Sequence, residues 1–279
     1  MDETISFFLL AFVALIVGIV SFSFGFFRHK IQEFTPQISG LSAFTGIFIF
    51  FFSQLLFFPF LLFSFFYFYP VKLSADMRSW LAIFSTFFSS SITLAYFYTL
   101  PKGIRTEIMG RWWGKRRKPL KNFFIGLGSW FICFPFVIVS VILVKLILGQ
   151  FFTIPNIQQL PVQDLIRVRH HLPLFTTLSL IVVVIIPMVE ELLFRGMLQT
   201  WLRGRLHWKW AVLVTALIFA TLHLSASHGM RNVEFFTGIF VLSLFLGYLN
   251  EKYGSLWAPI GLHIAFNGVS TLVLVIEIP

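Results

Sequence analysis

Three short segments in the second half of the chain place charged and polar side chains inside apolar sequence. They read "EELLFR" from Glu190, "FATLH" ending at His223, and "HIAFN" from His263 to Asn267. A charge at the centre of a membrane helix costs about 2.5–3.5 kcal/mol on insertion scales. Ionisable residues in such positions are therefore rare and are functional candidates by default.

The spacing within the first segment separates its two glutamates. Glu191 and Arg195 are four residues apart, so on a helix they share one face, with the glutamate on the N-terminal side, the better order for an ion pair. Glu190 points about 100° away, to another face. Pro187 lies three residues before Glu190 and predicts a bend that frees a backbone carbonyl. The spacing therefore predicts a Glu191–Arg195 ion pair that can join helices, with Glu190 on a different helix face.

Two hydrolytic chemistries fit these residue types. In the first, a buried glutamate is the general base on water, and a histidine and an asparagine donate hydrogen bonds to an oxyanion. In the second, His223, His263 and Glu190 hold a metal ion that activates the water. The sequence contains neither an H-E-x-x-H zinc helix nor a G-x-S-x-G serine elbow. The residues alone leave both chemistries open.

Each of these groups also has a purely structural interpretation. An ion pair can join two helices, and a histidine in a span is often a hydrogen-bonded packing residue. In the first four predicted spans, however, only Lys145 is ionisable, near a span end where it can reach the interface. The concentration of polar groups in the last four spans favours a site.

The elements that must position these residues are membrane helices. Of the 279 residues, 58% are hydrophobic and 11% charged, whereas a soluble domain averages roughly 45–50% and 25%. The composition predicts an all-α, polytopic membrane bundle of about eight transmembrane helices. Apolar runs long enough to cross a bilayer lie near 5–27, 43–69, 80–100, 123–149, 173–199, 210–228, 234–250 and 256–277.

The distribution of basic residues predicts the orientation of this bundle. The loop 101–122 holds eight Lys/Arg, and placing it in the cytoplasm puts 14 of the 21 Lys/Arg there and 5 outside. Both termini then lie outside, and the polar pocket lies nearer the cytoplasm. The net charge of +10 is explained by topology and contact with anionic membrane lipids, and no nucleic-acid binding is predicted. Residues 1–279 are interpreted as one membrane domain, with 1–150 (spans 1–4) as a more variable half and 172–279 as the catalytic core.

The three segments, in this order, resemble the motifs E-E-x-x-x-R, F-x-x-x-H and H-x-x-x-N of the CPBP family, which comprises CAAX-prenyl-protease and bacteriocin-processing (Abi) intramembrane proteases. The resemblance covers about residues 175–275. It implies an endopeptidase in which Glu190 activates water and His223 helps to hold it. It also implies that His263 and Asn267 stabilise the oxyanion and that Glu191 and Arg195 brace the site.

The function expected from this resemblance is cleavage of a peptide bond in a membrane-embedded or lipid-modified substrate, possible substrates including prenylated proteins, within a bacterial cytoplasmic membrane. A metal-free glutamate mechanism is expected, with no metal ligand assigned, although the family was long labelled metalloprotease and zinc stays possible. The alternative is a non-proteolytic immunity or membrane-interaction protein that keeps the fold. A transporter with a midplane polar site is disfavoured, since no internal repeat is visible.

Overall fold

The structure of the protein is all-helical, as the composition predicts. The computed structural model describes residues 3–28, 36–69, 74–113, 118–154 and 157–277, and these ranges contain no strand. Their helices are α1 (Glu3–Ser23), α2 (Gly40–Phe68), α3 (Ala75–Thr99), α4 (Lys102–Trp113), α5 (Pro119–Gly149), α6 (Leu160–Val168), α7 (Leu172–Arg203), α8 (Trp208–Thr221), α9 (Arg231–Tyr253) and α10 (Trp257–Glu277).

Six of these helices are long and apolar enough to cross a membrane: α1, α2, α3, α5, α7 and α9. The protein is therefore an integral membrane protein. The predicted spans 210–228 and 256–277 correspond to α8 and α10. Helix α8 has only 14 residues, or about 21 Å of rise, which is short of the roughly 30 Å hydrocarbon layer. The span predicted to reach residue 228 thus ends at Thr221, and an irregular segment follows it.

Two helices lie in segments that the hydropathy pattern predicts as loops. Helix α4 occupies much of the basic segment 101–122, of which residues 114–117 lie outside the described ranges, and it buries Ile104 and Ile108, one turn apart, against the core around α7. Helix α6 likewise buries Leu165 and Val168. These short amphipathic stripes lie between many charged residues, so a search for long apolar runs misses them.

Small residues set the closest helix contacts. A Cβ atom added at Gly126 of α5 would lie 2.1 Å from the carbonyl oxygen of Ala258, and one at Gly261 of α10 would lie 2.2 Å from that of Phe123. The backbones of α5 and α10 therefore touch, which only glycine permits. Gly261 is one half of this contact. It fixes α10, which carries His263, against the long helix α5.

Helix α7 is continuous from Leu172 to Arg203 but contains two π-helical stretches. The first is Ile181–Ile185 and the second is Leu192–Gln199, so the segment Ile186–Glu191 with both glutamates lies between them. π-Bulges widen a helix locally and often occur at functional sites. The central part of α7 is also the centre of the largest hydrophobic cluster, in which Leu193, Phe194 and Leu198 are fully buried.

Candidate active site

Pro187 and Asn267 together explain the hydrogen bonding of one backbone carbonyl of α7, that of Val182. The N–H of Ile186 bonds the carbonyl of Ile181, five residues back. The next donor in this register would be Pro187, which has no N–H. The carbonyl of Val182 is thus left without its helical partner, and it accepts a hydrogen bond of 3.0 Å from Nδ2 of Asn267. The carbonyl freed by the proline therefore has a side-chain partner on α10.

Glu191 is completely buried, and its carboxylate contacts two side chains, those of Arg195 and His263. Its Oε1 accepts from Nη1 of Arg195 at 2.9 Å and lies 2.9 Å from Nδ1 of His263. Arg195 is also fully buried. Its Nη2 donates to Oγ of Ser243 on α9 at 2.6 Å, and its guanidinium lies over the ring of Phe219 at 4.6 Å. This buried ion pair connects α7 to α8, α9 and α10.

Glu190 points to the other side and faces both histidines. Its side chain is only 7% exposed. Nε2 of His223 lies 3.6 Å from Oε1, and Nε2 of His263 lies 3.7 Å from Oε2. Both distances exceed a direct hydrogen bond and suit groups that share a water molecule. His223 is 28% exposed, so this side of the site opens outward.

The partners of the two histidines define which ring nitrogen carries the proton. Nδ1 of His223 lies 2.7 Å from the carbonyl oxygen of Phe219, which can only accept. Nδ1 of His263 faces the carboxylate of Glu191, which accepts as well. In both neutral rings, Nδ1 is therefore the donor and Nε2 presents a lone pair toward Glu190. Three acceptors therefore face one small volume: the Glu190 carboxylate and the Nε2 atoms of His223 and His263.

An irregular loop with its own clamp follows His223. The side chain of Asn232, on the first turn of α9, accepts from the N–H of Ser225 at 3.1 Å and donates to the carbonyl of the same residue at 2.7 Å. This two-point contact fixes the chain two residues after His223. Irregular backbone at membrane depth persists only where its polar groups are satisfied or wet. Asn232 was not predicted as a site residue, because in the sequence it is only a polar side chain at the start of an apolar helix.

The buried polar network continues from Arg195 along the α7–α9 interface. Nε2 of Gln199 donates to the carbonyl of Gly247 at 3.1 Å and to Glu251 at 2.8 Å, and Arg203 donates to Glu251 at 3.0 Å. Gly247 is required here, because a Cβ would lie 2.9 Å from Oε1 of Gln199. Sequence reasoning missed Gln199, Glu251 and the hydroxyl role of Ser243. Gln199 is four residues after Arg195, and Glu251 is eight residues after Ser243, so each pair shares a helix face, which was the available signal.

Five of the six predicted site residues meet in this centre. Glu190, Glu191, Arg195, His223 and His263 contact one another, while Asn267 lies one turn along α10 and contacts the α7 backbone at Val182. Within the described residues, no group of three or more His, Cys, Asp or Glu side chains has the arrangement of a metal site. The roles assigned to the individual residues stay predictions.

Comparison with known proteins identifies the part of the chain that carries this centre. Residues 172–269 match the family model described as "Type II CAAX prenyl endopeptidase Rce1-like". No curated protein and no solved structure gives a significant match to the chain. The matched segment contains all six candidate site residues, in the order of the three motifs. The resemblance found in those motifs is confirmed, since residues 172–269 are similar to a CAAX-type prenyl endopeptidase family.

Proposed function

We propose that the protein is an intramembrane endopeptidase in which Glu190 activates a water molecule. The observation that carries the proposal is the Glu190 carboxylate, buried between the Nε2 atoms of His223 and His263 at 3.6 and 3.7 Å. A carboxylate kept away from bulk water and facing two acceptors has little structural use. It is suited to taking a proton from water at the moment of attack.

The water is held by donating one hydrogen to Glu190 and the other to Nε2 of His223. Its oxygen lone pair then faces the carbonyl carbon of the scissile peptide. As the new C–O bond forms, Glu190 takes the proton and shares it with Nε2 of His263, 3.7 Å from its other oxygen. The ring of His263 becomes an imidazolium, which the adjacent carboxylate of Glu191 stabilises.

The oxyanion of the tetrahedral intermediate accepts hydrogen bonds from Nε2–H of His263 and from Asn267. The amide of Asn267 has two N–H groups, and the bond to Val182 uses one of them. When the intermediate collapses, the C–N bond breaks and the proton held by Glu190 and His263 passes to the leaving amine. One water is consumed, and a carboxylic acid, which keeps the second proton of the water, and an amine are released. Each oxyanion donor is expected to contribute on the order of 10²–10³ in rate.

The substrate class follows from the location of the site and from the matched family. A centre buried in a membrane bundle selects substrates that are themselves in the membrane, such as prenylated or lipid-anchored proteins. A bacterial cytoplasmic membrane is the proposed location. A non-proteolytic immunity or interaction protein would keep the helices without needing Glu190, so the burial of this carboxylate beside two histidines favours the enzyme.

The same geometry leaves a metal-dependent version of the reaction to be tested. Histidines that bind a metal through one nitrogen usually donate their other N–H to a carboxylate or carbonyl, as both rings do here. The proposed mechanism does not require a metal. One tightly bound zinc per purified chain, with activity lost on chelation and restored by zinc, would replace the glutamate-base mechanism with a zinc one.

The experiment that tests the function compares two membrane proteomes. Cells that contain the wild-type chain are compared with cells that contain Glu190→Ala at equal abundance, and new C-terminal ends are identified by mass spectrometry. Cleavages present only with the wild type would identify the substrates. Identical sets of ends in the two proteomes would favour the non-proteolytic alternative.

A further inference from the structure

A groove outside the candidate active site runs between α1, α5 and α9. Its cavity of about 480 Å³ is lined mainly by apolar side chains. The lining includes Val17 and Val20 of α1, Phe131 and Ile132 of α5, and, at one end, Lys252 and Tyr253 of α9. Helix α1 is peripheral, and most of its large apolar residues are exposed. The groove therefore faces the space that lipid tails occupy.

One end of this groove is built by the termination of α1. Gly25 adopts φ +76°, its N–H bonds the carbonyl of Phe22, and the N–H of Phe26 bonds that of Ser21. This is a Schellman ending, which requires a residue that tolerates the left-handed region. The chain turns sharply there, so the carbonyls of Gly25 and Phe26 point toward the end of α9.

Lys252 occupies this corner and lines the groove. Its Nζ donates to the carbonyls of Gly25 and Phe26 and lies 4.6 Å from the centre of the Phe26 ring. An ammonium has three N–H donors, so one remains after these two bonds. Among the described residues no carboxylate is paired with Lys252, and the neighbouring Glu251 bonds Gln199 and Arg203 on another face. Within the described ranges, the corner thus carries a positive charge that no carboxylate pairs with.

An apolar groove that opens to the membrane and ends in an ammonium with one N–H donor left matches the chemistry of a phospholipid. We propose that the groove between α1, α5 and α9 binds one anionic glycerophospholipid, with an acyl chain along Val17, Val20 and Ile132 and the phosphate at Lys252. The hydroxyl of Tyr253, which also lines the groove, is placed to donate to the same headgroup. In the predicted orientation this end lies at the cytoplasmic leaflet, where anionic lipids attract basic residues.

The test uses the purified full-length chain in detergent with added phosphatidylglycerol or phosphatidylcholine, and native mass spectrometry counts the bound lipids. The wild type is expected to prefer phosphatidylglycerol about fivefold, since one lysine near an anionic lipid contributes about 1 kcal/mol. Lys252→Gln should lose this preference. The matched control Lys209→Gln removes a lysine that contacts Trp208 and does not line the groove, so it should keep the preference.

A second variant tests the groove without altering charge. Val20→Trp should fill the acyl-chain space and reduce the binding of both lipids, while Lys252 stays in place. Equal binding of the two lipids by the wild type would overturn the proposal, as would an unchanged preference in Lys252→Gln. A Lys252→Gln protein with a lower melting temperature in detergent alone but with the wild-type lipid preference would show that Lys252 only caps α1. None of these readouts depends on proteolysis.

Discussion

Oε1 of Glu191 lies 2.9 Å from Nδ1 of His263, although the two residues are 72 positions apart and belong to different helices. The same oxygen lies 2.9 Å from Nη1 of Arg195. Glu191 thus determines the protonated nitrogen of His263 and, through it, the atom that faces Glu190. In the proposed mechanism the two adjacent glutamates have different roles: Glu191 orients His263, and Glu190 takes the proton of the water.

This division predicts that Glu191 and Arg195 matter for folding. Glu191→Gln and Arg195→Ala should each lower the free energy of unfolding by about 3–5 kcal/mol, because one charge of a fully buried pair loses its partner. Glu190→Gln keeps the shape of the side chain and should leave the yield and melting temperature close to wild type. The measurement is the melting temperature of each purified variant. Equal stability of Glu190→Gln and Glu191→Gln would contradict the assignment.

The clamp made by Asn232 is expected to position His223. Asn232→Ala should reduce kcat on the order of 10²-fold with little change in KM, since a displacement near 1 Å at a catalytic group has this effect. In a His223→Ala background the same change should have almost no further effect, because a positioning residue acts only through its target. A melting temperature near wild type excludes general unfolding. Full additivity of the two changes would show that Asn232 acts elsewhere.

The contact between α5 and α10 is expected to tolerate no side chain. Gly126→Ala places a Cβ 2.1 Å from the carbonyl oxygen of Ala258, so the helices must separate, which costs about 1–3 kcal/mol or more. Gly128 lies on the same helix with nothing within 4 Å of an added Cβ. Gly128→Ala is therefore the matched control and should leave the stability unchanged or raise it. Equal melting temperatures for the two variants would argue against this helix contact.

The distribution of Lys and Arg predicts that both termini lie outside the cytoplasm and that α4 lies in it. The structure places the end of α1 beside Lys252, and Leu256 donates to the carbonyl of Arg111, so these segments lie at one end of the bundle. Reporter fusions at the C-terminus and in the segment 114–117 would give the sidedness. A cytoplasmic C-terminus would mean that the orientation is wrong.

The polar positions of the site were the part most accessible from sequence. Charges in apolar helices are so costly that Glu190, Glu191 and Arg195 had to be paired or functional, and the i, i+4 spacing predicted the Glu191–Arg195 bond that the structure contains. The class of fold followed from the same argument, because a chain this apolar has few alternatives. A carbonyl freed by Pro187 was also predicted from the chemistry of proline, while the bend at this residue stays a prediction.

Other features could not be predicted because they depend on contacts between distant segments. The hydrogen bond from Asn267 to Val182 needs the relative height of α7 and α10, which the sequence does not define. The early end of α8 at Thr221 was not predicted from hydropathy, and neither was the contact between Asn232 and Ser225 in the segment that follows it. Helices α4 and α6 bury only short stripes, and the π-helical stretches of α7 have no sequence signature of their own.

The most direct test of the central claim is the turnover of a lipid-modified peptide by the purified chain and by Glu190→Gln. The peptide carries a prenylated cysteine near its C-terminus, and the products are identified by mass spectrometry. We expect the wild type to cleave one peptide bond and Glu190→Gln to be slower by about 10²–10⁴-fold, the usual contribution of a general base, at unchanged melting temperature. A Glu190→Gln protein that cleaves at the wild-type rate would contradict the account.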